Sequence, residues 1–139
     1  MKIIKNIFKK QILPWTIGLG SALIIMFIFE YTNSRLFPIP PNLDRRSFDQ
    51  MQNYVMHLPW YQFILIIAWW IVASFSAGWI ITLISQEKKY RISLTVGMIL
   101  TLLAILNSLS LAHPLWFNIV SLPDFLIFTY LGYYYKRYF

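Results

Sequence analysis

Asp124 stands in an otherwise apolar stretch, directly after Ser121, Leu122 and Pro123. A carboxylate near the centre of a bilayer costs roughly 2.5–3.5 kcal/mol on insertion scales, so it is held protonated or finds a partner there. Two chemistries answer to that demand. As a proton or cation site, Asp124 would exchange its charge state within the membrane. As a structural group, it would complete a capping box: Ser121 as N-cap, proline early in the new turn, and the acid reaching back to free backbone N–H groups. The second reading breaks the surrounding helix at this point. In either case Pro123 leaves the carbonyl of Ile119 without its helical donor, so a kink is expected.

Three more residues could join Asp124. Glu30 ends the first apolar run, Asn107 lies with Ser108 and Ser110 near the end of the third, and His113 begins the short turn before the fourth. Alternate span ends converge in an up-down bundle, so Asp124, Glu30, His113 and Asn107 are expected to form one polar cluster near the outer face. Glu30, His57 and His113 are metal-ligand types, yet no HExxH-like or other fixed spacing supports a metal, and His113-Pro114 reads more simply as a helix start. There is no Walker loop, dinucleotide glycine pattern, nucleophile elbow or calcium loop, and the chain has no cysteine. No catalytic residue and no cofactor is assigned.

The elements that must carry these residues are four long apolar runs, approximately 13–29, 63–85, 92–112 and 115–135. A hydrocarbon core of roughly 30 Å needs about 20 mostly apolar residues per helix. Each run is near that length, so the expected fold is an all-α membrane protein, a single domain of four transmembrane helices over residues 1–139 in an up-down bundle. Composition agrees: 58% of residues are hydrophobic, 19% aromatic and only 12% charged, against about 25% charged in soluble proteins.

The net charge of +7 points to the membrane surface and not to nucleic acid, because the basic residues flank the apolar runs. Lys2, Lys5, Lys9 and Lys10 precede the first, Lys88, Lys89 and Arg91 separate the second and third, and Lys136 and Arg137 follow the fourth. Arg35, Arg45 and Arg46 lie in the other connections, accompanied by Asp44 and Asp49. The positive-inside rule then puts both termini in the cytoplasm, as an even number of spans requires. The first run lacks a small-x-small cleavage pattern after it and is expected to be a retained helix rather than a secretory signal.

Ile3, Ile4, Ile7 and Phe8 alternate with lysines at helical spacing, which either orients the first span or lays a short segment on the inner leaflet. Phe37-Pro38-Ile39-Pro40-Pro41 should run extended. Phe48, Met51, Tyr54, Val55 and Leu58 recur at helical steps and predict a short interfacial helix capped by Asp44 or Ser47; a gating lid would carry the same pattern. Ala73, Ser74, Ala77 and Gly78 form small-xxx-small pairs on the second span, and Gly18, Ser21 and Ala22 a shallow groove on the first. Packing within the chain is the default use of the grooves, a contact between the first two spans among the options, and self-association is the alternative. Trp15, Trp60, Tyr61, Trp79, Trp116 and Tyr133–Tyr135 suit an aromatic belt, while Trp69 and Trp70 sit deeper.

Glu30, Pro38-Ile39-Pro40-Pro41, Asp44, Asp49, Met51, Leu58-Pro59, Ala68-Trp69 and His113-Pro114-Leu115-Trp116-Phe117 together give the chain its likeness to known sequences. It resembles a group of small, uncharacterised bacterial four-span integral membrane proteins, with an acid at the end of the first span, a proline-rich outer loop and a His-Pro step before the last span. Where that group often has a glycine-histidine pair after the acid, this chain reads Asn33-Ser34, which weakens a metal reading further. The resemblance implies a bacterial inner membrane and a four-helix fold, and no particular activity. The expected function is a non-enzymatic accessory or assembly module that docks a membrane partner or a second copy of itself in the lipid bilayer. The alternative is a small proton- or cation-linked transporter using Asp124 and Glu30, which would need a dimer to enclose a polar pathway. A lipid-modifying membrane enzyme is the third.

Overall fold

The computed structural model describes residues 8–85, 90–111 and 113–139, and every regular element among them is helical. Expectations attached to Lys2, Ile3, Ile4, Lys5, Ile7, Lys88, Lys89 and Ala112 lie outside the described residues, as do the side chains of Phe8 and Lys9. The helices are α1 (Leu13–Leu36), α2 (Phe48–Met56), α3 (Trp60–Ile84), α4 (Tyr90–Ser110) and α5 (Leu115–Tyr138). All but α2 are long and apolar enough to cross a membrane, which makes this a four-span helical bundle.

Each boundary has a local cause. Pro14 in the first turn of α1 supplies no N–H to the carbonyl four residues back, and the preceding segment Phe8–Ile12 is a widened π turn. α1 passes residue 29, the expected end of the first run, because nothing from Glu30 to Arg35 breaks a helix. It stops where Phe37 precedes Pro38, a position disfavoured for helix, and the Phe37 N–H donates to the Asn33 carbonyl at 2.8 Å. More than one turn of helix therefore follows Glu30. α3 starts directly after Pro59. The Ser47 hydroxyl accepts from the Gln50 N–H at 3.4 Å to cap α2, while Asp44 accepts from the Arg46 N–H at 2.9 Å in the turn before it.

α5 corrects the sequence reading at its centre. It runs unbroken through Pro123, and the Ser121 hydroxyl, fully buried, has no hydrogen-bond partner among the described residues, so Ser121-Leu122-Pro123-Asp124 does not begin a new helix. Proline is tolerated within membrane helices where neighbouring helices support the backbone, and Pro123 itself takes an exposed position away from the packed face.

Helices α3 and α5 form the most extensive pair, α1 covers α3, and α4 covers α5. Ring centroids place Phe63 beside Phe117 at 5.2 Å, Trp70 beside Phe125 at 5.0 Å and Trp79 beside Tyr135 at 5.3 Å, so α3 and α5 run in the same direction. Phe29 stacks on Trp69 at 5.4 Å and Gly18 meets Ile81, which makes α1 antiparallel to α3. The Ser108 hydroxyl donates to Asn118 Oδ1 at 2.9 Å and Gly97 meets Thr129, which makes α4 antiparallel to α5. The path is up-down.

Small residues close these interfaces. A Cβ on Gly78 would stand 2.9 Å from the Thr129 carbonyl carbon and from the Tyr133 nitrogen. A Cβ on Gly132 would stand 2.9 Å from the Phe75 carbonyl carbon and 3.0 Å from the Trp79 nitrogen. Only glycine lets two helix backbones approach this closely in lipid, where packing and not hydrophobicity drives association. Ala73, Ser74 and Ala77 are fully buried with Gly78, and Gly18 packs against Ile81 and Ala77. The face offered for self-association is thus closed within the chain, Gly78 by α5 and Ala77 by α1. α2 caps the bundle: Val55 inserts into a cluster with Phe63, Ile67 and Phe117.

Candidate functional site

The loosest side of the bundle is the seam between α1 and α4, which run parallel and touch only lightly. In α1, Met26, Glu30 and Asn33 recur at helical steps on one face; in α4, Leu100, Ala104 and Asn107 do the same. Both helices thereby present an apolar residue deep in the seam and an amide towards the α2 end. Between them lies a cavity of about 380 Å³, floored by Ile66 and Trp70 of α3 and Phe125 of α5.

Trp70 ties this floor to its neighbours through ring contacts. Its ring lies 5.0 Å from Phe125 and 5.5 Å from Phe117, an aromatic chain that ties the seam to the α2 end of the bundle. Over that floor stand three polar side chains. Glu30 and Asn107 are exposed along the open edge, and Asn33 is half-buried with Oδ1 in a buried position and no hydrogen-bond partner among the described residues. An ionised carboxylate only accepts, and an amide both accepts and donates. This set is therefore suited to a group that brings several donors: an ammonium, a guanidinium or hydroxyls.

Of the expected polar cluster, Glu30 and Asn107 meet in this cavity; His113 and Asp124 are not among its lining residues. His113 belongs to the aromatic cap, stacked on Phe117 at 5.1 Å and edge-on to Phe63 at 6.3 Å. Burial pushes its pKa below the ordinary histidine range, partly opposed by the Leu111 carbonyl, and its Nδ1 is buried without a partner among the described residues. Asp124 is buried within α5, with Oδ2 likewise unpartnered and the Ser121 hydroxyl one turn before it in the same condition. No group of three His, Asp or Glu side chains comes together as metal ligands among the described residues.

Asn33, Trp70 and Phe125 were not legible as site residues. The signal was present for Asn33, three residues after Glu30 and so on the same helical face, but only if α1 extends beyond residue 29. No family model, curated protein or solved structure matches the chain.

Proposed function

We propose that the protein is a non-enzymatic membrane module that docks a partner transmembrane helix along the α1/α4 seam, with Glu30, Asn33 and Asn107 as recognition groups. The observation that carries this reading is the acceptor Asn33 Oδ1, without a partner among the described residues, beside Glu30 and Asn107 in one cavity open along the bundle surface. The cavity has the size of a few side chains, which suits knobs from a neighbouring helix. A lysine, arginine or hydroxyl on that helix satisfies the acceptors. The lining offers no nucleophile paired with a base, so recognition fits it better than catalysis. Lys10, Arg91, Lys136 and Arg137 gather at the opposite end of the bundle, which supports cytoplasmic termini, while a bacterial inner membrane rests on the resemblance alone.

A photo-crosslinking amino acid at Leu103, which lines the cavity, tests the reading. In native membranes it should yield a discrete protein adduct that disappears in Glu30→Gln/Asn107→Leu. An adduct unchanged by that double substitution, or lipid adducts alone, would overturn it; an adduct of twice the chain mass identifies a second copy as the partner.

A second reading is a proton- or cation-linked carrier centred on Asp124. It is favoured by the buried Asp124 Oδ2 and Ser121 hydroxyl, neither with a partner among the described residues, on successive turns of one helix.

A further inference from the structure

We infer that the basic end of the α1/α4 seam is a binding site for the phosphate of an anionic phospholipid. A second cavity, of about 520 Å³, opens there between the first turns of two spanning helices. Gln11, Ile12 and Trp15 line it from the π turn and the start of α1, and Arg91, Ile92 and Thr95 from the start of α4. It is independent of the partner-docking reading, since the two cavities share no residue and occupy opposite ends of the seam.

The lining chemistry selects the ligand. Arg91 carries a planar guanidinium that donates two parallel hydrogen bonds to phosphate oxygens. Gln11 and the Trp15 indole add neutral donors, whereas the Thr95 hydroxyl is already committed to the Arg91 carbonyl at 2.5 Å. Among the described residues that line the cavity none is acidic. Ile12, Ile92 and the face of Trp15 provide apolar walls for the glycerol and upper acyl carbons.

Depth and competition point the same way. The first turn of a spanning helix lies at headgroup level, where tryptophan is favoured and anionic lipids supply the phosphate. The other described cations of α5 at this end are held by rings: Lys136 over Trp79 at 5.7 Å, and Arg137 over Tyr133 and Tyr138 at 5.7 and 5.5 Å. Arg91 instead lines the cavity. The π turn that presents Gln11 and Ile12 is of a kind found often at functional sites.

The test uses the full chain in mild detergent, titrated with phosphatidylglycerol, phosphatidylcholine or inorganic phosphate and read by native mass spectrometry. One phosphatidylglycerol should survive per chain, in preference to phosphatidylcholine. Arg91→Gln should weaken that retention roughly tenfold, as loss of a charge-assisted pair implies. Arg45→Gln, in the distant loop, should leave it unchanged. Arg91 is exposed, so the substitution should leave the fold intact, which an unaltered helical circular dichroism spectrum checks. Equal retention in Arg91→Gln, or equal retention of the two lipids, overturns the proposal; displacement by millimolar inorganic phosphate assigns the site to a free anion and overturns the lipid.

Discussion

Gly78 of α3 lies directly against the backbone of Thr129 in α5, so closely that a Cβ would meet the Thr129 carbonyl carbon at 2.9 Å. The contact is reciprocal, with Gly132 of α5 against Phe75 of α3, and it locks two parallel helices into the axis of the bundle. Everything else is arranged around that pair: α1 on one side, α4 on the other, and the seam where those two outer helices meet loosely.

Gly78→Leu should therefore act on the fold of the single chain. No flexible side-chain tip is there to yield, because the obstacle is backbone, and the loss should reach or exceed the roughly 1–3 kcal/mol typical of overpacking. Thermal unfolding in detergent would register it as a marked fall in Tm. Gly20→Ala is the matched control: nothing lies within 4 Å of its would-be Cβ, and exchanging glycine for alanine in a helix should be neutral or raise stability by about 0.5–1 kcal/mol.

Trp70→Ala should cost less than the roughly 3–5 kcal/mol lost with a fully buried large aromatic, because the ring is only half-buried. It would remove the ring that joins Phe125 in the seam to Phe117 in the cap. The same substitution should abolish the crosslink at Leu103, since the cavity floor collapses. A stable variant with its crosslink intact would show that Trp70 positions nothing.

Asp124→Asn distinguishes the two functional readings. The carrier reading requires that it abolish proton or cation flux in proteoliposomes while the chain still folds, and undiminished flux would eliminate Asp124 as the carrier. Asp124→Leu bears on energetics: removing a buried carboxyl oxygen that lacks a partner among the described residues should be neutral or stabilising by about 1–3 kcal/mol. A large loss of Tm would reveal that the carboxyl group supports α5.

His113 makes the aromatic cap sensitive to acid. Burial lowers its pKa in the folded chain below 6.5, so the unfolded chain takes up the proton first as pH falls. Its contribution to stability is complete above that value and is lost as the pH drops through the folded pKa. Thermal stability should decline between pH 7 and pH 5, and His113→Gln should make the decline shallower; an identical slope in both proteins would refute the assignment.

What the amino-acid sequence determined by itself was the set of helices. Runs near 20 apolar residues, broken by Pro38, Pro59 and Pro114, leave the backbone no other way to satisfy its hydrogen bonds in lipid. Ser47 as a cap and the helical spacing through Val55 were equally local signals. The neighbourhood of each polar residue was not local. Glu30 and Asn107 share a cavity because α4 is anchored chiefly on α5 and lies beside α1, whereas His113 joins the cap because Phe63 and Phe117 stand beside it. Ser121 and Asp124 resembled a cap by spacing alone, and the packing of α5 against α3 and α4 keeps that helix continuous through Pro123. Periodicity fixes which face of a helix is apolar, but which helix covers that face depends on contacts between residues far apart in the chain, and those exist only once the bundle has formed.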